Sequence, residues 1–247
     1  MRGLVTAVRT LTIFPCPGKD ADRFSASLPW FPAVGLMLGG MLWLTAYAAD
    51  AAFQNQWHNG TALGLLIMTI IMTRALHLDG LSDCADGFWG GHDRDKILSI
   101  MKDSSIGTFG AAALIIILLG KYICFARLLA SGTIQWIPAA YIISRTMQVV
   151  LAASFPYARD NGGTAESFVA DANTGHKATA ILVCAALLLI IGRMDLMLII
   201  AFVCALAVTI LIGTGSQKKI KGITGDVLGA TSELTELLVL FLGAWKG

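Results

Sequence analysis

Seven long apolar stretches limit most strongly what this chain can fold into. Crossing the hydrocarbon core of a bilayer takes about 20 helical residues, because each spanning segment must satisfy its own backbone hydrogen bonds. The stretches fall at residues 30–53, 61–78, 106–130, 134–155, 178–192, 194–213 and 227–245. They predict an all-α fold, a polytopic integral membrane helix bundle of about six to seven transmembrane helices, forming a single domain over residues 1–247.

Composition supports this class of protein. The chain is 56% hydrophobic and only 14% charged, whereas a soluble domain carries about 25% charged residues. Its net charge of +2 is too small to indicate a nucleic-acid partner. The five cysteines show no metal-type spacing, so we interpret them as small apolar packing residues. Residues 1–14 are amphipathic and are expected to lie on the membrane surface.

Lysine and arginine are concentrated in every second loop. They occur before the first stretch and after the second, fourth and sixth, whereas the loops at 54–60 and 131–138 have none. The turn Gly192–Asp195, which is expected to be tight, has only Arg193. Because positive loops stay in the cytoplasm, the pattern predicts a cytoplasmic N-terminus. Most acidic residues fall on the same side, which favours cation-assisted chemistry at the cytoplasmic surface over a pathway through the membrane.

Three aspartates directly follow the second stretch, in the segment L-H-L-D-G-L-S-D-C-A-D-G at Leu76–Gly87. On a helix, Asp79, Asp83 and Asp86 fall within about 60° of one another. Like charges on one face repel unless a cation lies among them, and carboxylate oxygens suit Mg²⁺ or Mn²⁺. We favour a metal site for phosphoryl chemistry over a merely solvated acidic helix end, because the adjacent glycines permit close approach of a backbone or ligand.

Three further segments carry candidate residues. In M-K-D-S-S-I-G-T-F-G at Met101–Gly110, Asp103 is a candidate metal ligand and Lys102 a candidate phosphate contact, although helix capping explains the pattern equally well. The loop P-Y-A-R-D-N-G-G-T places Arg159 beside two glycines, a weak phosphate-binding pattern by itself.

In the segment Gly222–Glu236, Asp226 and Glu233 share a helix face, and Gly225 permits close helix packing. Acidic residues at membrane depth normally face the bundle interior, either for function or to hold helices together. Arg145 lies in the middle of the fourth stretch and is expected to point inward. His77 flanks the aspartates, where a hydrogen-bonded structural histidine is the simpler interpretation.

With these residues set out, the chain resembles the cobalamin synthase family (adenosylcobinamide-GDP ribazoletransferase) over almost its whole length. The resemblance is carried by F-P-A-V-G at Phe31–Gly35, H-L-D-G-L-S-D-C-A-D-G at His77–Gly87, R-D-K-I-L-S-I-M-K-D-S-S-I-G-T-F-G at Arg94–Gly110, S-R at 144–145, Y-A-R at Tyr157–Arg159 and T-G-D-V-L-G-A with Glu233. One departure is Ile13, which stands where the family's N-terminal pattern has arginine.

The resemblance implies a Mg²⁺-dependent transferase in the bacterial inner membrane, with its active site facing the cytoplasm. The ribose 3′-hydroxyl of α-ribazole, or of its 5′-phosphate, would attack the phosphorus bonded to cobinamide in adenosylcobinamide-GDP and release GMP. Mg²⁺ would be held by Asp79, Asp83, Asp86, Asp103, Asp226 and Glu233. Asp83, as proton acceptor, and Lys102 are the catalytic candidates, and His77, Arg145, Arg159 and Gly225 the substrate-binding ones. Membrane lipid is an expected partner, and homo-oligomers or other cobalamin-assembly enzymes are further candidates.

Two other classes of protein stay open on the sequence. D-C-A-D-G at Asp83–Gly87 is similar to the opening of the CDP-alcohol phosphotransferase motif, but Gly90 and Gly91 occupy the region where that motif needs Ala-Arg. Glu233, Glu236 and Arg145 would suit a cation transporter or channel. The one-sided distribution of acidic residues argues against transport.

Overall fold

The structure is a computed structural model that describes residues 1–53, 56–159, 162–163, 165–191 and 195–247. These residues are almost entirely helical, and among them the only strand-like pairing is an isolated bridge between Tyr157 and Ile223. The α-helices described are α1 (Arg2–Leu11), α2 (Phe31–Phe53), α3 (His58–Thr73), α4 (Leu76–Gly90), α5 (Arg94–Ile100), α6 (Thr108–Ala130), α7 (Trp136–Ala152), α8 (Glu166–Val169), α9 (Thr174–Ile191), α10 (Leu196–Ile220) and α11 (Gly225–Lys246). The prediction of an all-α polytopic bundle is confirmed.

Five segments of the described chain are long and apolar enough to cross a membrane. They are α2 together with the 3₁₀ segment Phe24–Trp30 that leads into it, and α6, α9, α10 and α11. The bent pair α3 and α4 makes a sixth if it is counted as one span. The predicted fourth stretch forms α7, which is shorter than its stretch but entirely buried at the centre of the bundle.

The predicted second span, 61–78, is wrong as a continuous helix. The helix α3 ends at Thr73, and α4 begins at Leu76 after a bend of 88°. Arg74 and Ala75 between them adopt the left-handed region, with φ of 53° and 54°, a conformation that L-residues rarely adopt. The bend turns the aspartate-bearing α4 away from the axis of the preceding helix.

Glycines let α2 lie close against α7. A Cβ atom on Gly35 would collide with the carbonyl oxygen of Tyr141, and one on Gly39 would lie 2.5 Å from Pro138 Cα. Without water to drive apolar burial inside a bilayer, helices gain from such close backbone contact. The increasing residue numbers of α2 meet decreasing numbers of α7, so the two helices run antiparallel.

Contacts of Arg94 bring three of the basic loops together at one end of the bundle. At one end Arg94 donates to the carbonyl oxygens of Ala158, at 2.6 Å, and Ile220, at 3.3 Å, joining the loops after the second, fourth and sixth stretches. At the other end Asp195 pairs with Lys246. In the predicted turn Gly192–Asp195, residues 192–194 lie outside the described residues. Asp195 caps α10 by accepting a hydrogen bond from the Met197 N–H at 3.0 Å.

We expect Gly35→Ala to loosen the α2–α7 contact, because the added methyl group has no space beside Tyr141. Overpacking of this kind costs about 1–3 kcal/mol, so the thermal unfolding midpoint of the purified protein should fall. Gly40→Ala is the matched control, since a Cβ there meets nothing within 4 Å. A Gly35→Ala midpoint equal to that of Gly40→Ala would contradict this packing.

Candidate active site

Two glycines bring α4 and α11 together at the site. A Cβ on Gly80 would lie 2.8 Å from the carbonyl oxygen of Asp226 and 2.9 Å from its Cα, and one on Gly229 would lie 3.2 Å from His77 Cα. Any larger side chain at Gly80 must therefore displace the first turn of α11. This contact places Asp226 beside the aspartates of α4.

Four carboxylates form a negatively charged cluster at this contact. Asp83 is half-buried, and the charges of Asp79, Asp226 and Asp86 act on it together with the opposite charge of Arg159. Asp79 is exposed and repels Asp226 across the helix contact. Among the residues described, no three His, Cys, Asp or Glu side chains converge tightly enough to hold a metal ion by themselves. A cluster of oxygen donors still fits Mg²⁺, which usually binds one or two carboxylates and takes its other ligands from phosphates and water.

Asp86 is committed to a structural contact. Its carboxylate accepts hydrogen bonds from the backbone N–H groups of Gly107, at 2.7 Å, and Gly110, at 2.8 Å. These groups lie at the start of α6, where backbone donors lack partners inside the helix and negative charge is stabilising. The structure thus separates Asp86 from the predicted three-aspartate face, because its side chain turns toward α6 instead of pointing with Asp79 and Asp83.

Arg159 is held opposite Asp226 by the backbone pairing of the segment that precedes it. Its Nη2 lies 2.8 Å from Asp226 Oδ2. The Ala158 N–H donates to the Ile223 carbonyl oxygen at 2.9 Å, and the Ile223 N–H donates back to the Pro156 carbonyl oxygen at 2.9 Å. The weakly predicted phosphate-binding loop is therefore anchored to the segment that leads into α11. Its residues 160, 161 and 164 lie outside the described part of the chain.

The loop between α5 and α6 borders the cluster and is attached at both ends. Arg159 Nη2 donates to the Met101 carbonyl oxygen at 3.4 Å, and Gly107 binds Asp86. Lys102 and Asp103 lie exposed between these anchors. The Asp103 carboxylate accepts a hydrogen bond from the Ser105 N–H at 2.9 Å, which holds the pKa of Asp103 below its usual value. Asp103 thus closes its own turn and does not cap α6, whose N-cap is Gly107 with no side-chain hydrogen bond.

A cavity of about 510 Å³ opens beside the cluster. Its lining includes Asp79, Asp226, Gly225 and His77, together with apolar side chains from α1, the 3₁₀ segment, α2 and α8. The polar residues Thr10, Arg74 and Ser167 also belong to it. His77 is buried against α11. The cavity has the size of a small-molecule site, about 300–1,000 Å³, so two of the predicted metal ligands and two of the predicted substrate ligands share one site.

Glu233 and Arg145 lie elsewhere, in an ionic network buried in the bundle. Lys121 Nζ lies 2.6 Å from Glu233 Oε2 and 2.6 Å from Glu236 Oε1. Arg145 Nη1 lies 3.0 Å from Glu236 Oε2 and donates to Ser232 Oγ at 2.5 Å. The structure therefore does not bring Glu233 to the aspartates or Arg145 to the cavity wall. Their opposite charges attract one another inside the membrane, where unpaired charge is costly.

Two residues near the site carried no sequence-based role. Gln148 of α7 lines the cavity and is nearly fully buried, and its polar side chain inside an apolar stretch was the available signal. Arg94 ties the Arg159 segment to the end of α10. This part could not be found from sequence, because the two carbonyl oxygens that it joins lie far away in the chain.

These features define a multi-pass membrane protein with an acidic site at one end of its helix bundle. The chain belongs to the family described as cobalamin-5-phosphate synthase, which matches residues 3–244. The family resemblance read from the sequence is thereby confirmed, and with it the prediction of a transferase of cobalamin biosynthesis.

Relatives named adenosylcobinamide-GDP ribazoletransferase cover nearly the full chain. The protein of Chlorobium phaeobacteroides is 47% identical over 246 residues, which are 99% of this chain and 98% of its own. That of Chlorobaculum parvum is 47% identical over 99% of this chain and 95% of its own. A more distant relative from Syntrophobacter fumaroxidans is 33% identical over 97% of this chain and 91% of its own. No solved structure matches.

Gly80→Ala should strongly reduce transferase activity, because the added Cβ would push Asp226 away from α4. Displacing a catalytic group by about 1 Å can cost about 100-fold in rate. Gly90→Ala on the same helix is the control, since its Cβ would lie 3.6 Å from Ile100 Cδ1, an ordinary contact. Comparable rates for both purified variants would contradict the idea that this close contact positions the site.

Lys121→Met should destabilise the protein by about 3–5 kcal/mol, because it leaves buried carboxylates uncompensated. The double variant Lys121→Met/Glu233→Gln restores charge balance and should recover much of the stability. Denaturant unfolding of the wild type, both single variants and the double variant gives the coupling. The exposed Lys96→Met serves as control. Additive effects of the two substitutions would show that the pair does not act as a unit.

Proposed function

We propose that this protein transfers the adenosylcobinamide phosphate group of adenosylcobinamide-GDP to α-ribazole or its 5′-phosphate. The products would be adenosylcobalamin or its 5′-phosphate, and GMP. Family membership and the names of the relatives support this reaction. The structural observation that carries it is the meeting of Asp79 and Asp226, from two helices, at the wall of one cavity beside Arg159.

The reaction breaks the phosphoanhydride bond of adenosylcobinamide-GDP and forms a phosphodiester. The oxygen of the ribose 3′-hydroxyl forms a bond to the phosphorus attached to cobinamide, and the bond from that phosphorus to the bridging oxygen of GMP breaks. The hydroxyl proton leaves to a base, and GMP departs with the bridging oxygen. Such reactions depend mainly on positioning and on neutralising the phosphate oxygens.

Asp79, Asp83 and Asp226 are the residues that would hold Mg²⁺. When bound, the ion would neutralise charge on the pyrophosphate and orient its oxygens. The carboxylates alone repel one another, so a cation together with phosphate oxygens fits a donor set of this composition. Asp86 supports the site indirectly by holding the start of α6 in place.

Arg159 would bind the pyrophosphate. Its Nη2 pairs with Asp226, while its buried Nε has no hydrogen-bond partner among the described residues. A guanidinium held on one side by a carboxylate can direct its remaining donors to phosphate oxygens in a fixed orientation. Lys102, exposed on the adjacent loop, would add a second, mobile positive charge.

Asp83 would accept the hydroxyl proton. It is half-buried between Asp79 and Asp86 along α4 and is under the influence of three other carboxylates. General base catalysis of this kind typically contributes about 100- to 10,000-fold in rate.

The site would face the cytoplasm from the bacterial inner membrane. It lies at the end of the bundle where Arg94 joins the basic loops, and positively charged loops remain cytoplasmic. A transport function is less well supported, because the charges of Lys121 and Arg145 are balanced by those of Glu233 and Glu236. The acidic cluster also lies at one end of the bundle instead of along a path through it.

Asp83→Asn should abolish Mg²⁺-dependent GMP release, lowering kcat about 100- to 10,000-fold. The assay uses detergent-purified protein with adenosylcobinamide-GDP and α-ribazole 5′-phosphate, and follows both GMP and the corrinoid product. Asp171→Asn, in the exposed segment between α8 and α9, is the control and should retain wild-type activity. Wild-type protein that is folded but releases no GMP, or releases it without an acceptor, would refute the proposed reaction.

A further inference from the structure

One wall of the cavity is aromatic and apolar. Phe24 and Phe168 meet edge to face with ring centroids 5.3 Å apart, and Phe31 lies 6.2 Å from Phe168. Leu11 and Leu28 complete this wall. Three separate parts of the chain, the N-terminal helix, the entry to α2 and the short helix α8, converge here, so the wall is built by the fold and not by one local segment.

Two buried side chains that also line the cavity have unused polar atoms. Neither Nδ1 nor Nε2 of His77 has a hydrogen-bond partner among the described residues, although the residue is only 2% exposed. Gln148 is 3% exposed. Its Nε2 donates to the Leu228 carbonyl oxygen at 3.3 Å, whereas its Oε1 has no partner in the described chain. Buried polar groups are nearly always paired, so these atoms, in residues that line a cavity, indicate a ligand.

We propose that this cavity binds the fused aromatic base of the ribazole acceptor, an inference that rests on the proposed function. The base lies against the aromatic wall, and His77 donates an N–H to the single unsubstituted ring nitrogen of the benzimidazole. Imidazole carries at least one N–H in every protonation state, so the donor is always present. Gln148 Oε1 accepts a hydrogen bond from a ribose hydroxyl.

The position of the cavity suits the acceptor's role. Asp79 lies two residues after His77, and both line the same cavity together with Asp226. A base held between His77 and the aromatic wall therefore directs its ribose toward the carboxylates. The 3′-hydroxyl then enters the cluster that contains the proposed proton acceptor, while the pyrophosphate approaches from the side of Arg159.

The guanine of the other substrate fits this cavity less well. Its edge carries several donors and acceptors, each of which would need a buried partner. The phenylalanine rings supply none of them, and of the other polar residues in the lining Arg74, Asp79 and Ser167 are exposed and not buried partners. A benzimidazole has one ring acceptor and two large apolar faces, which matches a lining whose buried polar side chains are mainly His77 and Gln148.

The test combines a ligand change with a residue change. Binding of α-ribazole, and of an analogue in which a C–H replaces the unsubstituted ring nitrogen (an indole riboside), is measured by calorimetry on full-length protein in nanodiscs. Wild-type protein should bind the analogue about 10-fold more weakly, the usual effect of one lost hydrogen bond. His77→Leu should bind both compounds equally, and His176→Leu, a histidine on α9 outside the cavity lining, should keep the wild-type difference.

Steady-state kinetics supply the second measurement. His77→Leu should raise KM for α-ribazole about 10-fold while KM for adenosylcobinamide-GDP stays within about twofold, and Gln148→Leu should act in the same direction. An increase confined to adenosylcobinamide-GDP would overturn the assignment and place guanine in the cavity. Equal wild-type affinity for α-ribazole and its analogue would also overturn it, even if His77→Leu fails to fold. Absence of any turnover by folded wild-type protein would instead refute the reaction itself.

Discussion

The site depends on the close approach of α4 and α11, which in turn depends on the absence of side chains at Gly80 and Gly229. Inside a bilayer, small residues allow backbones to meet, and that contact replaces the hydrophobic drive available in water. Here the contact also brings acidic residues of two helices together despite their repulsion. Packing energy from the apolar lengths of the helices therefore holds together a polar cluster that would otherwise separate.

The buried ionic network stabilises the same arrangement from a different level of the bundle. Lys121 of α6 and Arg145 of α7 both bind Glu236 of α11, so three helices are joined around one carboxylate. Since α7 is also pressed against α2, the orientation of α11 is fixed along its length. Glu233 and Glu236 thus hold helices together, whereas Asp226 lies at the cavity. Helical spacing alone, which puts Asp226 and Glu233 on one face, does not distinguish these two roles.

Sequence periodicity identified the apolar helices well, because span length and hydropathy are properties of a local segment. It also identified Asp79, Asp83 and Asp226 as site candidates, since carboxylates and glycines beside apolar stretches are uncommon. It could not foresee that Asp86 turns to cap α6 or that Glu233 pairs with Lys121. Helical spacing fixes only the direction of the Cα–Cβ bond. The partner of each carboxylate depends on which residues of a distant segment pack beside it, here Gly107 for Asp86 and Lys121 for Glu233.

The division of the acidic cluster between α4 and α11 has a consequence for biogenesis. During membrane insertion α4 emerges from the ribosome long before α11. The nascent chain therefore carries Asp79 and Asp83 at a stage when Asp226 and its partner Arg159 have not yet been made. Arg159 gains its carboxylate partner only when α11 docks. The site is therefore complete only after α11 has docked against α4, and a chain that lacks α11 has the earlier spans of the transferase without Asp226.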